Sequence, residues 1–156
     1  MEDRLTLQVV DAIATEVTAW PGVTDRDHRS GGRAFYLGTA EVGHVHRSGL
    51  VDVEFYRPLG DRLVAAGLVR AHSLYPDSGW TSYRVVDADG IDHAVWLLWV
   101  SYLATLVATP HTHLARRIAV ELDVDAALDA LPAPVAAELE SLRRSVPLRT
   151  GRASRA

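Results

Sequence analysis

The chain begins with an apolar repeat of helical spacing. Four apolar residues recur there at every fourth position: Leu5, Val9, Ile13 and Val17. This spacing places the side chains on one side of an α-helix, and Pro21-Gly22 interrupts the series. The pattern predicts a first helix over residues 4–19.

Alternation of apolar and polar residues replaces this repeat from position 33 onward. The alternating segments are RAFYLG, AEVGHVH, LVDVEFY and, further along, WTSYRVV. Short alternating runs bounded by turn residues are typical of antiparallel strands. The polar, glycine-ended stretch over residues 24–32 precedes them and predicts a loop.

Helical patterns return after the third strand. Pro58 and Gly67 stand at the start and end of a short predicted helix, as the capping preferences of these residues require. Residues 91–109 are almost continuously apolar and predict a buried helix, with Asp92 as its N-cap. Its apolar core of about fifteen residues is shorter than the roughly 20 that span a bilayer.

The order of these elements predicts an α+β fold. We expect a single antiparallel sheet of four or five strands in a meander, with helices on one face and additional C-terminal helices. Residues 1–109 would form the main domain and 110–146 a helical extension of it. Residues 147–156 are basic and polar, and they predict a disordered tail.

Composition narrows the function. The chain has 156 residues, a formal charge of −4 and no cysteine. The charge disfavours a nucleic-acid binder, and the missing cysteines exclude disulfides and thiolate metal sites. The acidic N-terminus is unlike a signal peptide, so we expect a cytoplasmic protein without membrane attachment.

The hairpin around EVGHVHRSGLVDVEF contains the first candidate site. A three-residue loop at Arg47-Ser48-Gly49 places His44 opposite Asp52 and His46 near Leu50. A tight turn at residues 38–39 then places Arg33 beside His44. By strict alternation the polar face also carries Phe35, Val42 and Glu54.

Three interpretations of this face remain open. Polar residues are the ordinary covering of an exposed sheet face. His44 could be a general base whose tautomer Asp52 fixes. His44 and His46 could instead bind a metal, with further ligands from Asp52, Glu54, His72 or Asp77.

Two loops supply further candidates. His28 and Arg29, in the predicted loop before the first strand, could bind an anionic group. His72, Asp77 and Trp80 lie before the fourth strand, in a loop of the kind that often carries function.

Five stretches together resemble the bacterial luciferase-like domain family, which includes the fungal bioluminescence luciferase. They are HRSGGRAFYLG, EVGHVH, GLVDVEF, LYPDSGWTSYRV and DHAVWLLWVSYL. The resemblance implies oxidation of a hydroxylated pyranone by molecular oxygen, with loss of carbon dioxide and no known bound flavin or metal. The layout is also similar to the small YjbR-like α+β domains.

The residues and the resemblance together suggest a cofactor-independent oxygenase acting on an enolisable pyranone or phenol-like substrate. His44, oriented by Asp52, would take the proton, while Arg33 or Arg29 holds the enolate oxygen. The expected substrate-binding residues are His28, Arg29, Phe35, His46, Glu54, His72, Asp77 and Trp80. The alternatives are a non-catalytic ligand- or protein-binding module and a metal-dependent enzyme using His44 and His46. We expect no cofactor, and a homodimer is an open possibility.

Overall fold

The computed structural model describes residues 2–147, with side chains from Gln8 onward except that of Ser30. The predicted tail lies almost wholly outside these residues. The strands are β1 (Val23–His28), β2 (Gly32–Leu37), β3 (Ala40–Val45), β4 (Leu50–Glu54), β5 (Arg70–Ala71) and β6 (Trp80–Arg84). The helices are α1 (Glu2–Thr18), α2 (Arg57–Ala65), α3 (Ala88–Ala108), α4 (His113–Glu121), α5 (Val124–Asp129) and α6 (Ala133–Ser145), and a 3₁₀ turn spans Arg29–Gly31.

The six strands form one antiparallel sheet in the order β1-β2-β3-β4-β6-β5. The predicted α+β class with a single antiparallel sheet is therefore confirmed. The loop predicted over residues 24–32 is wrong, because β1 occupies most of it. β1 is an edge strand whose side chains are mostly exposed, so it has no apolar alternation from which to recognise it.

The hydrophobic core lies between the sheet and the helices α1 and α3. Ile13 of α1 and Leu98 of α3 are fully buried there, as is Val42 of β3. Ser101 on α3 donates a hydrogen bond to the carbonyl of Val42 at 2.7 Å. These contacts leave the opposite face of the sheet to the polar side chains.

α3 is the central helix of this core. Its N-cap is Asp87, whose side chain accepts a hydrogen bond from the Gly90 amide, so the prediction of Asp92 as the cap is wrong. By length and composition α3 could cross a membrane, but half of the relevant window is buried inside the fold. α3 thus contributes a large part of the hydrophobic core.

The C-terminal helices join the same core. Leu139 of α6 is fully buried, and the Tyr56 hydroxyl donates a hydrogen bond to the Glu138 carbonyl at 2.6 Å. Arg62 of α2 forms an ion pair of 2.8 Å with the Glu138 carboxylate. α6 is therefore fixed to α2 as well as to α3.

Tyr102 on α3 gives a stability prediction. Its side chain is fully buried, and its hydroxyl donates to the Pro21 carbonyl at 2.7 Å. Burial, followed by the charge of Glu121, raises the Tyr102 pKa to about 12. We expect Tyr102→Phe to lower the free energy of unfolding by about 1–2 kcal/mol, because the carbonyl loses its partner. Urea denaturation measures this, and the exposed Tyr75→Phe is the control. Equal losses in both variants would contradict the assigned role.

The β3–β4 hairpin has the predicted register. His44 pairs with Asp52, and Val45 pairs with Val51. The His46 amide donates to the Leu50 carbonyl at 2.7 Å, and Gly49 in the loop has a φ of 80°. Both His44 and Asp52 therefore lie on the open face of the sheet.

The β2–β3 pairing contains a bulge that strict alternation does not predict. Tyr36 pairs with Glu41, but Phe35 pairs with Gly43, so Val42 is an extra residue in β3. The residue opposite His44 is consequently Ala34 rather than Arg33. Because of this one-residue shift, the side chains of β2 lie on the face of the sheet opposite to the one predicted.

Two predicted site residues are corrected by this shift. Phe35 is fully buried in the helix-packed core and cannot form the floor of a site around His44. Arg33 pairs with the buried Val45, on the face opposite His44, and forms ion pairs with Asp25 and Asp27 at 3.3 and 3.2 Å. Arg33 therefore cannot hold an anion beside His44.

Candidate functional site

Asp52 is the centre of the polar cluster on the open face. Its side chain is only 4% exposed, and its Oδ2 atom faces three imidazoles. The distances from Oδ2 to the Nε2 atoms are 2.7 Å for His46, 3.4 Å for His44 and 3.6 Å for His72. The other oxygen, Oδ1, accepts a hydrogen bond of 2.5 Å from the Ser82 hydroxyl. A buried carboxylate is thus fully surrounded by hydrogen-bonding groups.

The strand register explains how these residues meet. β4 pairs with β6 so that Asp52 lies opposite Ser82. The His72 amide donates to the Trp80 carbonyl at 3.0 Å, which brings the segment after β5 alongside β6. Side chains that are distant in sequence therefore share one face.

His44 lies between two carboxylates. Its Nδ1 atom is 2.5 Å from Glu41 Oε1, and its Nε2 atom faces Asp52. Burial alone would lower the His44 pKa, but hydrogen bonds to Asp52 and Glu41 outweigh it and raise the pKa to about 9. His44 is therefore an imidazolium at neutral pH, with both N–H groups in use.

The Asp52 carboxylate is stabilised in its charged form. Burial would raise its pKa, but hydrogen bonds from His44, Ser82 and His46 outweigh that cost and hold the Asp52 pKa well below its usual range. Asp52 consequently remains ionised across the physiological range.

His28 completes the cluster from the edge strand β1. Its ring stacks on that of His44, with centroids 4.1 Å apart and planes at 14°, and meets the edge of His46 at 5.2 Å. Burial, followed by the charges of His44 and His46, lowers the His28 pKa. Its Nδ1 atom is buried and has no hydrogen-bond partner among the described residues. Opposite His28, Gly32 allows β2 to approach β3, because a Cβ there would lie 2.2 Å from the Val45 carbonyl oxygen.

Aromatic side chains flank this cluster. The Trp80 ring lies 5.5 Å from that of His44, and the Tyr75 ring stacks on His72 at 5.3 Å. Tyr75 and Leu74 are both largely exposed in the segment between β5 and β6. They offer apolar surface beside a polar centre, as small-molecule sites commonly do.

The structure brings together part of the predicted site. The predicted residues in the cluster are His28, His44, His46, Asp52, His72 and Trp80. Glu54 is exposed on the same strand as Asp52, and Arg29 is exposed in the 3₁₀ turn. Asp77 lies instead beside Arg57 in a cleft of about 280 Å³.

Two members of the cluster were missed by sequence reasoning. Glu41 is three residues from His44, and in a regular strand the two side chains would lie on opposite faces of the sheet. The bulge at Val42 places them on the same face. Ser82 could have been found only from the pairing of β4 with β6. Neither residue has a recognisable motif around it.

The shifted pKa of His44 predicts a pH-dependent stability. A group whose pKa rises from 6.5 to about 9 on folding stabilises the fold fully below pH 6.5, and this contribution is lost as the pH rises through 9. The loss is at most about 3 kcal/mol. His28 acts in the opposite sense, because its lowered pKa costs stability on acidification.

The effect of His44 is isolated by a difference between variants. We expect the stability advantage of the wild type over His44→Gln to shrink by about 3 kcal/mol or less between pH 6 and pH 10. Denaturant unfolding in the presence of EDTA measures it, and the exposed His113→Gln is the control. An advantage that does not change with pH would show that His44 is not held as an imidazolium.

Comparison with known proteins supports one family relationship. Residues 39–101 match the family model described as the luciferase domain. No curated protein and no solved structure matches the chain. The similarity to YjbR-like domains is thus not confirmed. The matched segment contains every residue of the cluster except His28, and it supports a relationship to the luciferase-like domain family.

Proposed function

We propose that the protein binds an enolisable small molecule, a pyranone or a phenol-like compound, on the open face of its sheet and oxygenates it there. The observation that carries this proposal is the imidazole–carboxylate cluster around Asp52, which lies within the segment that matches the luciferase domain. The chemistry suits a cytoplasmic protein acting on a dissolved substrate.

Such a reaction begins with loss of a proton. An enol or phenol becomes electron-rich enough to react with oxygen only as its anion, so the site must accept the hydroxyl proton. Glu41 and Asp52 carry two negative charges against the single positive charge of His44. This net negative charge favours uptake of the proton by one of the imidazoles other than His44, since His44 is already protonated and serves to orient the carboxylates.

The redox step balances without another reductant. The carbanion carbon of the enolate gives two electrons to dioxygen and forms a carbon–oxygen bond, which leaves both oxygen atoms in a peroxide on that carbon. The half-buried Trp80 and the exposed Tyr75 would cover the rings of such a substrate.

Oxygen uptake tests this proposal. The full chain is incubated with a panel of 4-hydroxypyranones and polyphenols in an oxygen electrode, and products formed under ¹⁸O₂ are analysed by mass spectrometry. We expect uptake in proportion to substrate consumed and incorporation of the label. His46→Ala should reduce the rate by about 100-fold or more, while the exposed His113→Ala leaves it unchanged. Saturable binding without oxygen uptake would instead identify a non-catalytic binding module.

A further inference from the structure

The cluster around Asp52 has the donor set of a metal site. His28, His44 and His46 each present one ring nitrogen, and these three atoms lie within 4.8 Å of one another. Asp52 Oδ2 faces the Nε2 atoms of His44 and His46. Three imidazoles and one carboxylate are ligands that suit divalent Zn, Fe, Co or Mn.

The outer contacts of the cluster match those of a metal centre. Ligating histidines usually donate their second ring N–H to a carboxylate, which fixes the tautomer. His44 makes this contact through Nδ1 to Glu41, and its Nε2 remains directed at the centre. Ser82 likewise holds Asp52 by Oδ1 and leaves Oδ2 directed inward. These two outer contacts orient the ligands independently of any ion.

His28 supplies a second, independent observation. Its Nδ1 atom is buried without a hydrogen-bond partner in the described part of the chain. A buried nitrogen with no partner costs free energy unless something binds to it. The stacking of His28 on His44 directs the two rings toward the same region.

His72 is distinguished from the other three by its hydrogen bond. Its Nδ1 atom accepts from the Leu74 amide at 3.2 Å, so the proton of the neutral ring is on Nε2. That N–H faces Asp52 Oδ2 at 3.6 Å. His72 is consequently an outer donor to the carboxylate, not a ligand.

We propose that the cluster binds one divalent first-row transition-metal ion. Its ligands are three imidazoles and one carboxylate: His28, His44, His46 and Asp52. His44 releases its Nε2 proton to solvent when the ion binds. Nitrogens bound to one tetrahedral ion at 2.0–2.1 Å lie about 3.4 Å apart, so ring nitrogens that lie within 4.8 Å of one another must close by up to about 1.4 Å on binding.

The metal also supplies a charge that the site otherwise lacks. Arg33, expected to hold the enolate oxygen, lies on the other face of the sheet. A divalent ion beside Asp52 would hold that oxygen instead in a fifth coordination position, acting as a Lewis acid. The role of the metal in holding the enolate oxygen rests on the proposed function, but the binding of the metal does not.

Cobalt provides a direct probe. The full chain without a His tag is stripped with EDTA and titrated with Co²⁺, and the visible d–d absorption is followed. We expect saturation at one ion per chain. His28→Ala and His46→Ala should weaken binding by more than about 100-fold, and Glu41→Gln by about 10- to 100-fold. His72→Ala should weaken it by less than about 10-fold, and His93→Ala, outside the cluster, should have no effect.

A second measurement needs no variant. Ring-nitrogen NMR shifts of the wild type are compared with and without Zn²⁺, and three of the seven histidines should change. Absence of binding, or equal loss of binding in His28→Ala and His93→Ala, would overturn the proposal. Metal binding in the expected order without oxygen uptake on any substrate would leave the metal site intact and refute the proposed oxygenation. Equal oxygen uptake by stripped and loaded protein would refute the metal's role in the reaction.

Discussion

Asp52→Asn should lower the free energy of unfolding by about 3–5 kcal/mol and abolish the activity of the open face. The carboxylate is 4% exposed and is the common partner of three imidazoles. Its removal leaves the His44 imidazolium buried with one carboxylate instead of two. Losing one partner of a buried ion pair typically costs this much, because the remaining charge is desolvated without compensation.

Denaturant unfolding and oxygen uptake measure the two effects separately. The control is Asp92→Asn, which removes a charge from an exposed position on α3. The pKa of His44 provides a third observable, since it should fall toward its ordinary value in Asp52→Asn. A stability loss below about 1 kcal/mol would mean that the carboxylate is not the centre of the cluster.

Gly43→Ala should destabilise the protein by about 3–5 kcal/mol, although it removes no polar side chain of the site. A Cβ at Gly43 would lie 2.6 Å from Leu98 Cδ2 and 2.9 Å from the Asp52 carbonyl oxygen. The φ of 155° adds backbone strain for any other residue. Overpacking and strain each contribute about 1–3 kcal/mol.

Gly67→Ala is the matched control for this substitution. Gly67 also has a positive φ, of 73°, but no atom lies within 4 Å of a Cβ built there. It should lose only the roughly 1 kcal/mol of backbone strain. Equal stability losses in the two variants would show that β3 is not in close contact with α3 and β4 at Gly43. We expect the larger stability loss in Gly43→Ala. Because the added methyl group would displace the Asp52 carbonyl, this variant should also bind ligand more weakly.

Much of the fold could be predicted because local rules govern it. The three-residue loop before Leu50 fixed the register of β3 on β4, and with it the pair of His44 and Asp52. The apolar run of α3 predicted a buried helix, which the structure contains. Such features depend on neighbouring residues, for which spacing and turn chemistry are sufficient.

The unpredicted part depends on contacts between distant segments. β1 is polar because it is an edge strand, and only its pairing with β2 shows that His28 reaches His44. The bulge lies beside Gly43, which approaches α3 closely, and no local pattern records this long-range contact. For these reasons Arg33 and Phe35 were assigned to the wrong face, while Glu41 and Ser82 were not recognised.

The bulge at Val42 also bears on how related chains of different length should be compared. Because Val42 is an extra residue in β3, the pairs on either side of it keep their faces with or without it. A relative that is one residue shorter at this position could retain the pairing of His44 with Ala34 and the approach of Glu41. An alignment that places the gap elsewhere in the hairpin would exchange core and site residues along the strand. A one-residue alignment gap placed at position 42 therefore keeps the core residues and the site residues correctly aligned.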